Sequence, residues 1–303
     1  MIQLRTAGYK ALDNLRSRGE FPPQWSSPTE LETITNNFIE RFLAERLDAS
    51  RELGPGFLMP EMIDRAIRTR EIENMDAAST DGTEKLEWIR ALDRMNLMTQ
   101  SYDHQVSLLL PIIGELRQGR APVRILELAS GSGGLAFALA GQAAKSGIDI
   151  VVTASDIVQE TVSEGNRIAA DRQLPVSFRN LNAFDYEGVE KGSVDMVVIS
   201  QSMHHFSPGQ LALMIAGAKA IGASAFVGID GYRSLLLVGG VPLVASMQGI
   251  GAFTMDGLTS ARKFYSELEL GIIADVATRE TGHRVECSWP LTLLQVKLNK
   301  YDR

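Results

Sequence analysis

The sequence predicts an α/β protein: a mostly parallel seven-stranded sheet with helices on both faces, an antiparallel terminal strand, and a helical N-terminal unit in front. Three observations predict it. From residue 123 to residue 229, short apolar runs alternate with segments of helical periodicity, the pattern of strands connected by crossover helices. Residues 123–140, VRILELASGSGGLAFALA, read as a buried strand, a glycine turn and a helix. Near the C-terminus, residues 284–287 and 291–298 alternate like paired strands with only Ser288, Trp289 and Pro290 between them, which predicts an antiparallel hairpin at the sheet edge.

Composition narrows the function. A chain of 303 residues that is 45% apolar can bury a full core. A formal charge of -7 supplies no basic field for a polyphosphate, so small molecules rather than nucleic acids are the expected partners. The single cysteine, Cys287, allows neither an internal disulfide nor a cysteine-based metal cluster, which suits a reducing compartment and a cytoplasmic protein; it reads as an ordinary strand residue. The first twenty residues lack the long apolar run of a secretory signal and read as a surface helix.

Residues 1–110 read as helices only, with breaks at Phe21-Pro22-Pro23 and Gly54-Pro55-Gly56. Leu31, Ile34, Phe38, Ile39, Phe42 and Leu43 recur at helical spacing, as do Trp88, Leu92, Met95 and Met98. This is the expected N-terminal cap, 1–110, ahead of a ligand-binding domain, 111–303. Residues 61–76, EMIDRAIRTREIENMD, carry alternating charges suited to a solvated helix face, for which no function need be invoked.

Within the second domain the predicted strands cover 123–128, 148–154, 176–181, 194–200 and 223–229, with helices near 133–146, 158–172, 208–221 and 261–277. In the segment DGLTSARKFYSEL, Thr259 or Ser260 is the expected helix cap, and Asp256 is not assigned a catalytic role. The insert 232–258 contains nineteen uncharged residues, 235–253. Four glycines, Pro242, Ser246 and Gln248 make it a poor membrane span, leaving a lid, plain core or a membrane-surface contact as its readings.

Ligands in such sheets bind outside the carboxyl ends of the strands. Five successive ends are polar here: Glu127, Asp156, Asn182, the run from Ser200 to His205, and Asp230. Asp156 follows the glycine turn at a distance that suits a carboxylate accepting hydrogen bonds from a ribose diol. G-S-G-G-L-A also fits the dinucleotide pattern, so the turn alone leaves the cofactor open.

Taken together, ELASGSGG, TASD, NLNAFD and SVDMVVISQSMHHFSP resemble the motifs of class I S-adenosylmethionine-dependent methyltransferases, specifically the small-molecule UbiE-like or type 11 group. The resemblance covers residues 123–300 and implies a Rossmann-like sheet. Two positions depart from the family pattern, Ala129 in place of a glycine and Asn182 in place of an aspartate. The resemblance implies a cofactor site of Glu127, Ala129, Ser130, Gly131, Gly133, Asp156, Ile157, Asn182, Ala183, Ser200 and Gln201. Gly131 and Gly133 let the backbone approach the methionine part, Glu127 sits near its amino group or orders the loop, Asp156 holds the ribose, and Asn182 with Ala183 flanks adenine. No metal is expected.

The resemblance further implies a catalytic pair, a histidine after the fourth strand and an aspartate after the fifth, here His204 and Asp230. The chemistry agrees: the cofactor departs as a neutral thioether, whereas a hydroxyl acceptor must lose a proton, which a carboxylate-oriented imidazole can take. The expected function is methyl transfer to the oxygen of a small, lipophilic or phenolic acceptor. C-methylation of a quinone precursor and an NAD-dependent oxidoreductase are the alternatives, and a homodimer is compatible with either.

Overall fold

The computed structural model describes residues 2–77, 79–117 and 122–298; the last five residues of the predicted domain, and the end of the 123–300 resemblance, lie outside them. Strands β1 (Val123–Leu128), β2 (Ile150–Asp156), β3 (Val176–Asn180), β4 (Met196–Ser200) and β5 (Ala225–Gly231) are parallel, and β6 (Arg284–Ser288) and β7 (Leu291–Lys297) form the predicted hairpin. The sheet order is β3-β2-β1-β4-β5-β7-β6, with β7 antiparallel to β5. The order reverses beside β1, so the connections leaving the paired strands β1 and β4 run to opposite faces of the sheet and open a crevice at the carboxyl ends.

Eleven α-helices surround this sheet among the described residues: α1 (Ile2–Ser17), α2 (Pro28–Leu53), α3 (Pro55–Ile67), α4 (Gly82–Met98), α5 (Ser101–Leu116), α6 (Gly134–Lys145), α7 (Gln159–Arg172), α8 (Pro208–Ala220), α9 (Leu235–Ser246), α10 (Gly251–Lys263) and α11 (Glu267–Thr278). Side chains alternate across each strand, so neighbouring residues of β1 face different cores. Leu126 and Leu128 join Phe38 and Phe42 of α2, Met214 of α8 and Ile273 of α11. Ile125 joins Leu109 of α5, Leu139 of α6 and Val162 of α7 on the other face. Both faces of β1, β4 and β5 are therefore largely dry, which is why they read as continuous apolar runs, whereas β2 and β3 nearer the edge expose Val151 and Ser177.

The N-terminal helices are built into this core. The division predicted at 110/111 falls inside α5, whose Val106, Leu109, Ile112 and Ile113 pack with β1 and α6. Of the predicted apolar stripes, Leu31, Phe38, Ile39, Phe42 and Trp88 are buried, whereas Met98 is 48% exposed.

Three local expectations are corrected. The single helix predicted over 261–277 is two helices, because Ser266 starts α11 with a reciprocal capping box to Glu269, and Thr259 and Ser260 lie inside α10. Residues 61–76 are not a solvated helix face: α3 stops at Ile67, and Glu61, Asp64 and Glu73 are buried. Guanidinium groups match the first two, Arg46 to Glu61 at 2.8 Å and to Asp64 at 2.6 Å and Arg233 to Asp64 at 2.7 Å, with Arg68 on the neighbouring Glu269 at 2.7 Å, and the Lys263 ammonium lies 3.1 Å from Glu73. Burial works to raise Asp64 and Glu269, but the surrounding arginines win: Glu269 is held at about 2 and Asp64 well below the ordinary carboxylate range. Third, α9 is not plain core. It buries only Ala245, while Leu236, Leu243 and Met247 are each about two-thirds exposed or more, and no helix among the described residues is long and apolar enough to cross a membrane.

Candidate active site

A cleft of about 1920 Å³ opens at the carboxyl ends of β1, β2 and β4. On one side lies the glycine turn after β1. Ala129 is at φ +49°, a left-handed conformation that favours glycine, and Gly131 and Gly133 follow at +52° and +76°. The turn is tied to the strand ends: Ser130 N–H donates to Ser155 O at 2.9 Å, and Gly131 N–H to Asp156 Oδ2 at 2.8 Å. Asp156 Oδ1 accepts a further bond from Val158 N–H at 2.9 Å, leaving the carboxylate's remaining lone pairs for a diol. Ile157 lines the same wall and is 69% exposed.

Glu127 sits beneath this turn, buried, with Oε2 lacking a hydrogen-bond partner among the described residues. Burial, with the charge of Asp156 adding to it, pushes the Glu127 carboxyl up to about 8. Ser130 Oγ is a second buried orphan in the same turn. A buried acid and hydroxyl with unused capacity, under a turn held open by positive φ angles, suit a ligand that brings a cation and hydrogen-bond donors.

The floor comes from β4 and is clamped by helices that precede the sheet. Ser200 Oγ donates to Gln105 Oε1 at 2.6 Å. Gln201, left-handed at φ +52°, exchanges two bonds with Asn96 at 2.8 and 3.1 Å and donates to Ser101 Oγ at 2.8 Å. Asp93 accepts from Ser132 Oγ at 2.7 Å and from the Tyr102 hydroxyl. The Tyr102 phenol occupies the space a Cβ at Gly134 would take, so the start of α6 requires glycine there. Asn182 and Ala183 are not among the residues lining the cleft; Asn182 Oδ1 accepts from Phe184 N–H in its own turn, and Phe184 lines the cleft instead.

On the other side is the histidine corner. Met203–His205 forms one 3-10 turn, whose Met203 fills the space above Gly228 of β5. His204 is buried; its backbone N–H donates to Asp230 Oδ2 at 2.9 Å, and its Nδ1 lies 2.9 and 3.0 Å from the two carboxylate oxygens. Burial works to raise Asp230, but the His204 ring and the N–H groups of Gly231 and His204 hold it below its ordinary value. An ionised carboxylate only accepts, so Nδ1 carries a proton, and in the neutral ring Nε2 is the acceptor. That Nε2 has no hydrogen-bond partner among the described residues, and the ring lines the cleft. Phe264 packs edge-on against it at 5.1 Å.

Sequence reasoning missed the groups facing this corner. His205 Nδ1 lies 2.6 Å from Asp76 Oδ2, and both histidines approach Glu73, at 3.7 and 3.8 Å. Burial acts to lower His205, yet Asp76 and Glu73 raise it overall. Both acids come from the segment after α3, held by Asp256 of α10, which accepts from Asn74 N–H, the Asn74 amide and Met75 N–H at 2.7, 2.8 and 3.0 Å. Asp256 is thus a clamp. The insert does not wall the cleft: Arg262, Lys263 and Tyr265, after it, supply that edge.

Residues 125–222 match the family model described as "Methyltransferase domain". No curated protein matches the chain. Among solved structures, the plantazolicin methyltransferase BamL, in complex with a triazolic desmethylPZN analog and SAH, is 14% identical over 69% of this chain and 90% of its own, with a TM-score of 0.53. Magnesium protoporphyrin IX methyltransferase from Synechocystis PCC 6803 with bound SAH is 15% identical over 76% and 90%, TM-score 0.45. A SAM-dependent methyltransferase from Aquifex aeolicus is 15% identical over 62% and 88%, TM-score 0.43. The antiparallel β7 departs from the strand order 3-2-1-4-5-6 of dinucleotide-binding sheets, which weighs against the oxidoreductase alternative. The chain therefore has the fold of the BamL methyltransferase, and about a third of it, residues 125–222, is similar to a methyltransferase domain.

Proposed function

We propose that the protein transfers a methyl group to the oxygen of a small, lipophilic or phenolic acceptor, with His204 as general base. One observation carries this reading: a buried imidazole whose Nδ1–H is fixed on Asp230 presents an unpartnered Nε2 to the cleft. Ile39, Leu43, Ile72, Met75 and Phe206 line the acceptor side and favour an apolar body, while Nε2 favours a hydroxyl on it.

In this reading Glu127, Ala129, Ser130, Gly131, Gly133, Asp156, Ile157, Ser200 and Gln201 bind the cofactor, which supplies an electrophilic methyl group when bound. Glu127 and Ser130 use their orphan oxygens on the amino-acid end, and Asp156 accepts from the ribose diol. Asn182 and Ala183 support the adenine side through the turn that positions Phe184. His204 Nε2 takes the acceptor's hydroxyl proton as the new C–O bond forms, and Asp230 stabilises the resulting imidazolium. Asp230 acts through His204 and is a positioning residue. Enclosure by Phe264 and the apolar wall keeps water from competing for Nε2.

The test is incubation of the protein with isotope-labelled S-adenosylmethionine and a panel of phenols, their methyl ethers and quinone precursors, read by mass spectrometry. Label on oxygen of free phenols, absent from the ethers, is expected. Label confined to ring carbon would establish C-methylation instead.

A further inference from the structure

Two histidines face one buried carboxylate at the edge of the cleft. His204 Nε2 is 3.7 Å from Glu73 Oε1, His205 Nε2 is 3.8 Å from Glu73 Oε2, and one ligand atom from each residue falls within 4.8 Å of the others. A zinc ion with bonds of about 2.0–2.1 Å separates its tetrahedral ligands by roughly 3.4 Å. The spacing therefore needs only small side-chain shifts to close on an ion.

The outer contacts are also those of a metal site. Each ring has its Nδ1 on a separate carboxylate, His204 on Asp230 at 2.9 Å and His205 on Asp76 at 2.6 Å. That arrangement fixes each ring's orientation and leaves both Nε2 atoms as donors. Ser260 Oγ donates to Glu73 Oε2 at 2.9 Å and orients the third ligand. His204 Nε2 is buried without a hydrogen-bond partner, an orphan aimed into the cluster. Lys263 Nζ, 3.1 Å from Glu73 Oε1, is the cation now balancing the carboxylate.

We propose that Glu73, His204 and His205 bind one divalent transition-metal ion of the zinc class, with its remaining coordination position toward the cleft. Two imidazoles and one carboxylate select such an ion over magnesium or calcium, which favour all-oxygen sets. A consequence rests on the reading of His204 as base: an ion on Nε2 occupies the lone pair that would take the acceptor's proton. Metal occupancy then switches methyl transfer off, and chelation restores it.

Zinc chloride titrated into the chelator-treated 303-residue chain, with a chromophoric chelator as competitor, tests the site. One ion per chain is expected, with affinity at least tenfold weaker in Glu73→Gln and His205→Ala. Lys263→Met should bind severalfold more tightly, since the resident cation is gone; a gain of affinity also requires a folded protein. Failure of both the unsubstituted protein and Lys263→Met to bind stoichiometric zinc overturns the site, as does binding indifferent to Glu73→Gln and His205→Ala. Labelled-methyl transfer is measured in parallel. Zinc bound without loss of transfer leaves the metal site standing and overturns the base assignment.

Discussion

The two sides of the cleft are made in different ways. The glycine-turn side draws Glu127, Ser130, Gly131 and Asp156 from one strand-turn-helix-strand unit; the bonds from Gly131 to Asp156 and from Ser155 to Glu127 link residues 25 and 28 apart in the chain, and Ser132 reaches Asp93, 39 residues away. The histidine corner pairs His205 with Asp76 across 129 residues, and depends on Asp256, 182 residues beyond the Asn74 it holds. A pocket built from contiguous chain is specified by motif. One assembled from distant segments is specified by packing, so it can change its chemistry while the motif stays fixed.

The largest expected effect falls on the distant side alone. His204→Ala should lower turnover with a hydroxyl acceptor by about 10²–10⁴-fold while leaving S-adenosylmethionine affinity, measured by calorimetry, within about twofold. Equal loss of both would mean that the two sides are not separable. Asp230→Asn should follow His204→Ala in turnover, because the amide no longer favours the imidazolium.

Next is the scaffold behind that corner. Arg68→Ala leaves the buried Glu269 and Asp64 short of a counter-charge and should destabilise the fold by about 3–5 kcal/mol in denaturant unfolding. A loss under about 1 kcal/mol would show that these charges are solvated, as the alternating pattern of 61–76 suggested.

Glu127 gives a pH test of the contiguous side. Its carboxyl is raised, so the stability tied to keeping it neutral is present at low pH and is lost as pH rises toward and through about 8. Glu127→Gln should flatten that decline. A cationic ligand group beside Glu127 lowers its pKa, so cofactor binding below about pH 8 should release a proton and tighten as pH rises. Calorimetry in two buffers of different ionisation enthalpy reads the release; buffer-independent heats would separate Glu127 from the ligand.

The smallest effect is at Ala129. Left-handed backbone costs a residue with a Cβ on the order of 1 kcal/mol, offset in part by the chain entropy glycine adds to the unfolded state, so Ala129→Gly should raise stability by up to about 1 kcal/mol. A loss would mean that the methyl group is packed.

The same contrast explains what the sequence discloses. The strands, hairpin and glycine turn follow from period-two and period-3.6 patterning, and the nearness of His204 to Asp230 follows from polar residues at adjacent strand ends, while their pairing as catalytic groups is what the family resemblance implies. Glu73 and Asp76 stay hidden because an alternating charge pattern looks the same whether water or a partner such as Lys263 or His205 meets it. Asn96 and Gln105 stay hidden for a related reason: amides on amphipathic helices carry no periodic signal until their partners, Gln201 and Ser200, are placed opposite them. The break before Ser266 is marked by its capping box, S-E-L-E, which the helical apolar spacing on either side of it masks.

The Asp256 clamp has a consequence for biosynthesis. Asn74 and Met75 leave the ribosome long before the carboxylate that holds their amides has been translated. The glycine turn, Asp156 and both histidines can be in place while the acidic wall opposite them is still unanchored, so completing the histidine corner awaits the emergence of α10. A nascent chain stalled before residue 256 would therefore carry the residues of the glycine turn without a finished corner, and the order of translation becomes the order in which the site acquires its parts.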